Sequence, residues 1–238
     1  MTGSAEVASG QPASEMAREK PLLELIGSAQ AGFRARLDGL HKTQGGLERA
    51  QYVAYLSMQV HLTRNVQKYF YRIAAHPDVT TVSSLRKFLL RFGTDEAPHY
   101  KIALKDLADL GEKCLPKPFT VELWHAYFEK ILDRRPFLRL GAACYLENLA
   151  GTSGEAISTL FAHSPYLRPA NMRFFLIHKH ESDKLDHGNQ ILNEMRSAKL
   201  SDAQWADLAS GAEKAHVLYT MMVDEALGGS RTNTLPPV

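Results

Sequence analysis

Residues Phe174 to Asn189 read FFLIHKHESDKLDHGN. On a helix, at about 100° per residue, His180, Asp183 and His187 fall within an arc of about 60°, and His178 projects almost opposite. Such a helix presents two imidazoles and a carboxylate to one point. These are donor types that iron, manganese or zinc takes from a protein. Read alone, the stretch is equally a polar, partly exposed helix with scattered histidines. The ligands offered elsewhere in the chain decide between the two.

Two other stretches offer them. In DEAPHYKIALKDLADLG (Asp95 to Gly111) the side chains of Glu96 and His99 are three apart, on one face if helical. Pro98 between them fits only a helix's first turn. Thr94 or Asp95 is then the cap, and Glu96 and His99 stand at the helix start. In GAACYLENLAG (Gly141 to Gly151), Glu147 is a carboxylate among small and apolar residues, expensive to bury unpaired. A bound cation or a buried arginine would remove that cost, and plain exposure would avoid it. Together the three stretches supply three carboxylates (Glu96, Glu147, Asp183) and three histidines (His99, His180, His187). Two irons share such a set well. Carboxylates bridge or chelate, imidazoles cap each metal, and positions stay open for O2 and substrate.

The rest of the chain reads as helix. Met1 to about Lys20 is small and polar, the composition of a disordered tail. Pro21 opens the folded part, with Leu22, Leu25, Ile26, Phe33 and Leu37 at helical spacing, and Gly45-Gly46 breaks it. One long helix is expected from about Glu48 to Ala75, ended by His76-Pro77. Ser83 or Ser84 caps the next helix, which Gly93 and Thr94 interrupt. Gly111 is a C-cap. Further helices are expected over Thr120–Leu132 and Pro136–Ala150, broken by Gly151 to Gly154 and continued over Glu155–Phe161. The helix carrying His180 runs to about Met195, and Ser201 starts the last one. Gly228 to Val238 is a Gly- and Pro-containing tail. No segment alternates at period two and no fixed repeat is present. The expectation is an all-α bundle of seven to nine helices in one domain, residues 21–228, between tails at 1–20 and 229–238.

The 238 residues suit a single domain with a full core. A formal charge of +2 calls for neither nucleic acid nor an acidic membrane surface as partner. Cys114 and Cys144 are too few for a disulfide framework and fit a reducing compartment. The N-terminus lacks the apolar core of a signal peptide, and no apolar run reaches the ~18 residues of a membrane span. A cytoplasmic protein is expected.

The same three stretches resemble the haem-oxygenase-like diiron oxidases, which share their fold with the TenA and PqqC proteins. The resemblance covers roughly Glu48 to Leu192. DEAPHYKIALKDLADLG looks like the family's Glu-His helix, GAACYLENLAG like its central glutamate helix, and HESDKLDH (His180 to His187) like its final His-Asp-His helix. It implies Glu96, His99, Glu147, His180 and His187 as metal ligands. The family's last motif places its aspartate four after the first histidine. Here Lys184 stands at that position and Asp183 supplies the carboxylate. A π-bulge would restore the geometry; otherwise Lys184 enters the site and one metal binds instead of two. The early long helix offers Gln59 and His61 where some relatives have a carboxylate. The resemblance implies an iron enzyme, without haem, that oxidises a small organic molecule with O2 and draws electrons from an external donor. Homodimers are common among similar folds. A haem oxygenase proper needs a proximal histidine near the N-terminus, where only His41 and His61 are candidates.

Three rival readings come from the residues. A ferritin-like protein needs paired Glu-x-x-His motifs, and Glu122/His125 formally joins Glu96/His99. A TenA-like hydrolase needs a reactive cysteine near a carboxylate, which Cys144 and Glu147 could supply. A helical domain that only binds a ligand or partner needs neither, and then Arg34, Arg36, Arg134, Arg135 and Arg139 are a solvated face. The substrate is not legible.

Overall fold

The computed structural model describes residues 13–151, 163–177 and 187–228. Among these residues there are helices and no strand. Numbered in chain order, they are α1 (Ala13–Gln44), α2 (Arg49–Thr63), α3 (Gln67–Ala74), α4 (Pro77–Thr80), α5 (Ser83–Glu96) and α6 (His99–Asp109). Then come α7 (Phe119–Leu132), α8 (Pro136–Gly151), a 3-10 turn at Pro169–Asn171, α9 (Arg173–Leu176), α10 (His187–Ser197) and α11 (Asp202–Leu227). Nine of these helices have eight residues or more. None is long and apolar enough to cross a membrane. The expected tail beyond Gly228 and the expected helix over Glu155–Phe161 lie outside the described residues.

The bundle is organised around the crossing of α8 and α11. A Cβ on Gly141 would overlap the carbonyl oxygen of Leu208, and one on Gly211 would overlap that of Leu138. Each glycine thus lies against the backbone three residues before the other glycine. Two helix backbones touch there because neither carries a side chain. Around this crossing, α1 packs on α11 and α8, α2 on α6 and α11, α3 on α5, and α10 on α8. The buried positions of α1, Leu22, Ile26, Ala29 and Leu37, keep the helical period that the sequence displays.

Several helix ends follow their local chemistry. Gly111, at φ 74, closes α6: its N–H donates to Ala108 O and that of Glu112 to Leu107 O, both at 2.9 Å. Ser201 caps α11 reciprocally with Gln204.

Others depart from the pattern. Helix α1 starts at Ala13, upstream of Pro21, which lies inside it. Ion pairs hold this first part: Arg196 Nε donates to Glu19 Oε2 at 2.7 Å, and Arg18 reaches Asp202 at 2.7 Å. The single helix expected over 48–75 is two, α2 and α3, because Asn65 takes a left-handed φ of 62°, which asparagine tolerates better than most residues. Gly93 and Thr94 do not interrupt α5. Gly93 is there for closeness, since a Cβ would come within 2.9 Å of Phe70 Cβ.

Candidate metal centre

Helix α5 ends at Glu96 and α6 begins at His99, with Pro98 as the residue before it. The expectation that one helix start carries both is therefore corrected: they flank a joint. Proline cannot donate a backbone hydrogen bond to continue α5, and the joint still leaves the two side chains together. His99 Nδ1 lies 2.6 Å from Glu96 Oε2. The other carboxylate oxygen, Oε1, lies 2.9 Å from His187 Nδ1 at the first residue of α10. Glu96 therefore turns one oxygen to each imidazole, and the two rings stand nearly parallel with centroids 6.2 Å apart. Glu147, from the C-terminal half of α8, completes the group, with Oε2 at 3.7 Å from His187 Nδ1.

Glu96, Glu147 and His187 each offer a ligand atom within 4.8 Å of the others. Asn148 fixes the approach of α10 to α8. Its Nδ2 donates to Cys144 O (2.8 Å) and to Gly188 O (3.3 Å), and its Oδ1 lies 2.8 Å from where a Cβ on residue 188 would be. Phe92 covers the His187 ring at 5.1 Å. Glu96 and His99 are buried, and Glu147 and His187 are mostly so. The expected ligands His180 and Asp183, with Lys184 and His178, lie outside the described residues.

The electrostatics are those of charges forced together out of water. Burial pushes the Glu147 carboxyl above the ordinary range, and the neighbouring Glu96 charge adds to it. Burial acts the same way on Glu96, but hydrogen bonds to His187 and His99 outweigh it and hold that carboxyl low. The Glu147 and Glu96 carboxylates together hold the His187 imidazole well above its usual value. Two carboxylates thus share one imidazolium. Two mostly buried carboxylates converging on an imidazole fit a divalent transition metal. The mixed O/N set suits iron, manganese or zinc better than a hard cation that takes oxygen alone.

Other candidate residues have ordinary occupations. His125 Nε2 lies 3.0 Å from His61 O and its Nδ1 3.0 Å from Tyr69 Oη, while Glu122 is exposed, so no second Glu-His pair of the ferritin kind forms. His61 Nε2 bonds Leu115 O at 2.8 Å and anchors the loop after α6. Cys144 is buried, and burial with the Glu147 charge pushes its thiol up to about 12, far from the thiolate a hydrolase needs. The arginines do not all form a solvated face: Arg139 is only 4% exposed. Its signal in the sequence was an arginine between leucines in the otherwise uncharged run from Pro136 to Leu146.

No protein-family model and no curated protein matches the chain. Among solved structures it is similar to a crystal structure, from Shewanella denitrificans OS217, of a domain of unknown function with a haem-oxygenase-like fold. The two share 19% identity with a TM-score of 0.67, over 90% of this chain and 85% of that one. The fold is therefore all-α and haem-oxygenase-like. An identity of 19% reaches no further than the fold.

Proposed function

We propose that this protein is a non-haem iron enzyme, with one or two ions, that oxidises a small organic molecule with O2. The observation that carries the reading is the convergence of Glu96, Glu147 and His187, from three helices separated in sequence, in a mostly buried cluster. Such a cluster is costly to bury without a cation. In this reading Glu96, Glu147 and His187 hold the metal, with His99 beside them at Glu96 Oε2. His180 and Asp183 are further ligands. Bound ferrous iron would supply the capacity to bind and reduce O2, with electrons drawn from an external donor.

The chain's own residues set the conditions. Glu96 keeps His99 and His187 in register through its two oxygens, and its carboxylate would serve a bound metal. Asn148 and Phe92 fix where His187 stands, the outer-shell support that keeps a ligand in register. Burial of Glu96 and His99 keeps bulk water out.

Metal analysis of protein purified without chelator tests this. Wild type should carry one to two equivalents of iron, and Glu96→Gln and His187→Ala should lose most of it while remaining helical. Metal content well below one equivalent, and unchanged by either substitution, would overturn the reading in favour of a binding domain. Full occupancy by zinc with no O2 uptake would overturn the oxidase chemistry.

A further inference from the structure

A cavity of about 170 Å³ lies between α1, α8 and α11. Its origin can be read along α1. The inward stripe of that helix runs Leu22, Ile26, Ala29, Phe33 and Leu37. It thins to Ala29 and Gly32 where the cavity lies. Gly32 is exposed, and a Cβ there would meet no atom within 4 Å, so the cavity opens to the surface beside it. The cavity is separate from the metal cluster. Tyr145 and Leu149 line it from α8, and Glu147 stands about 200° around the helix from each. Helix α8 therefore turns one face to the metal cluster and the opposite face to the cavity.

The lining selects a ligand. Phe33, Leu149 and Val223 are apolar walls, and the rings of Tyr145 and Tyr219, with centroids 6.3 Å apart, form an aromatic one. Arg36 is paired with Asp224, so its charge calls for no anion. The Tyr219 hydroxyl is taken by Tyr55 and Gln59. His216 and Thr220 remain, one turn apart on α11, as the polar end. His216 Nδ1 lies 3.1 Å from Tyr145 Oη, which fixes the ring, and Nε2 makes no hydrogen bond among the described residues. Depending on the tautomer, Nε2 is left as a donor or as an acceptor. A hydroxyl group answers either, whereas a carbonyl oxygen answers only the first. An apolar cavity of about 150 Å³ holds benzene, so this one has room for a single six-membered ring with one small substituent.

We propose that this cavity binds a neutral, single-ring phenol, its ring against Phe33, Tyr145 and Tyr219 and its hydroxyl on His216 Nε2. It is a second site, across α8 from the metal cluster, and it stands whether or not that cluster holds iron.

The test is calorimetry of the full chain with phenol and with fluorobenzene, a ring of like size that cannot donate, with thermal shift on the same samples. Wild type should bind phenol about tenfold more tightly, the scale of one hydrogen bond made where the alternative leaves a polar group unpaired. Gly32→Leu fills the cavity from its open side. It should weaken both rings about tenfold or more without lowering the melting temperature, because leucine is the better helix former. His216→Phe keeps an aromatic ring and removes the nitrogen. It should still bind fluorobenzene and lose the preference for phenol. The proposal is overturned if neither ring binds wild type, since the cavity is then only a packing void. It is also overturned if the two rings bind wild type alike, if Gly32→Leu binds phenol as wild type does, or if His216→Phe keeps the preference. Should His216→Phe fail to fold, Gly32→Leu and the comparison of rings on wild type decide. Iron content should be equal in wild type and Gly32→Leu, and its loss in Gly32→Leu would overturn the separation of the two sites.

Discussion

Replacing Gly141 by alanine should destabilise the protein by about 2 kcal/mol although it adds a single methyl group. In a helix interior the exchange is otherwise favourable by about 1 kcal/mol. Here the added Cβ overlaps the Leu208 carbonyl oxygen, and the neighbouring carbon and Cα of Leu208 are also closer than contact distance. That oxygen belongs to the backbone of α11 and cannot rotate aside, so the two helices must separate. Overpacking costs about 1–3 kcal/mol when side chains can adjust, and the upper end applies when the obstacle is backbone. The net loss of about 2 kcal/mol lowers the melting temperature by about 4–8 °C for a chain of this size. Gly211→Ala should behave alike, since it meets Leu138 in the same way. The double variant should lose clearly less than the sum, because the first methyl already opens the crossing for the second. Gly27→Ala, with nothing within 4 Å of its Cβ, is the control and should gain a few tenths to about 1 kcal/mol. Urea denaturation monitored by circular dichroism gives all four values. Melting of Gly141→Ala within 1 °C of wild type, or strict additivity in the double variant, would refute the reciprocal crossing. Helix α8 also carries Glu147, so metal affinity should fall with it.

Thiol titration of native protein should find one fast-reacting cysteine, Cys114, and release the second, Cys144, only on unfolding, since Cys144 is buried with its thiol pushed up to about 12; two fast thiols would contradict the packing of α8. His125 is held below its ordinary 6.5 by burial, so as pH falls below about 6.5 the unfolded chain binds a proton that the native imidazole resists. Its contribution to stability is therefore present above pH 6.5 and lost as pH falls toward its native pKa. His125→Gln should show a smaller loss of urea midpoint between pH 7 and 5 than wild type, and an equal or larger loss would reverse the sign.

The helices were legible because each long apolar stripe holds its period over several turns, as from Leu22 to Leu37. Helix breaks were less so. Asn65 splits a helix whose apolar pattern runs straight through it, and Gly93 fails to break one because it is there for the close approach of Phe70. Glu96, Glu147 and His187 could be picked out because buried carboxylates and histidines have few structural uses. That Glu96 ends one helix and His99 begins the next depends on the joint at Pro98, which spacing alone does not reveal. Arg139 belongs to a solvated face only on the binding-domain reading, where it takes the usual exposure of an arginine, and the structure buries it. Its burial depends on rings brought from Tyr69, Trp124 and Phe128, which no window around residue 139 contains together.

The aromatic cage around Arg139 has an optical consequence. The chain has two tryptophans, and one of them, Trp124, is almost wholly buried with the guanidinium 6.0 Å from its ring. Indole emission responds to the field of a nearby charge, so its wavelength and intensity follow whatever neutralises that cation. Exchange of Trp205, in the first turn of α11, for phenylalanine leaves a single indole emitter. The protein then carries its own unlabelled gauge of the electrostatic state of its interior.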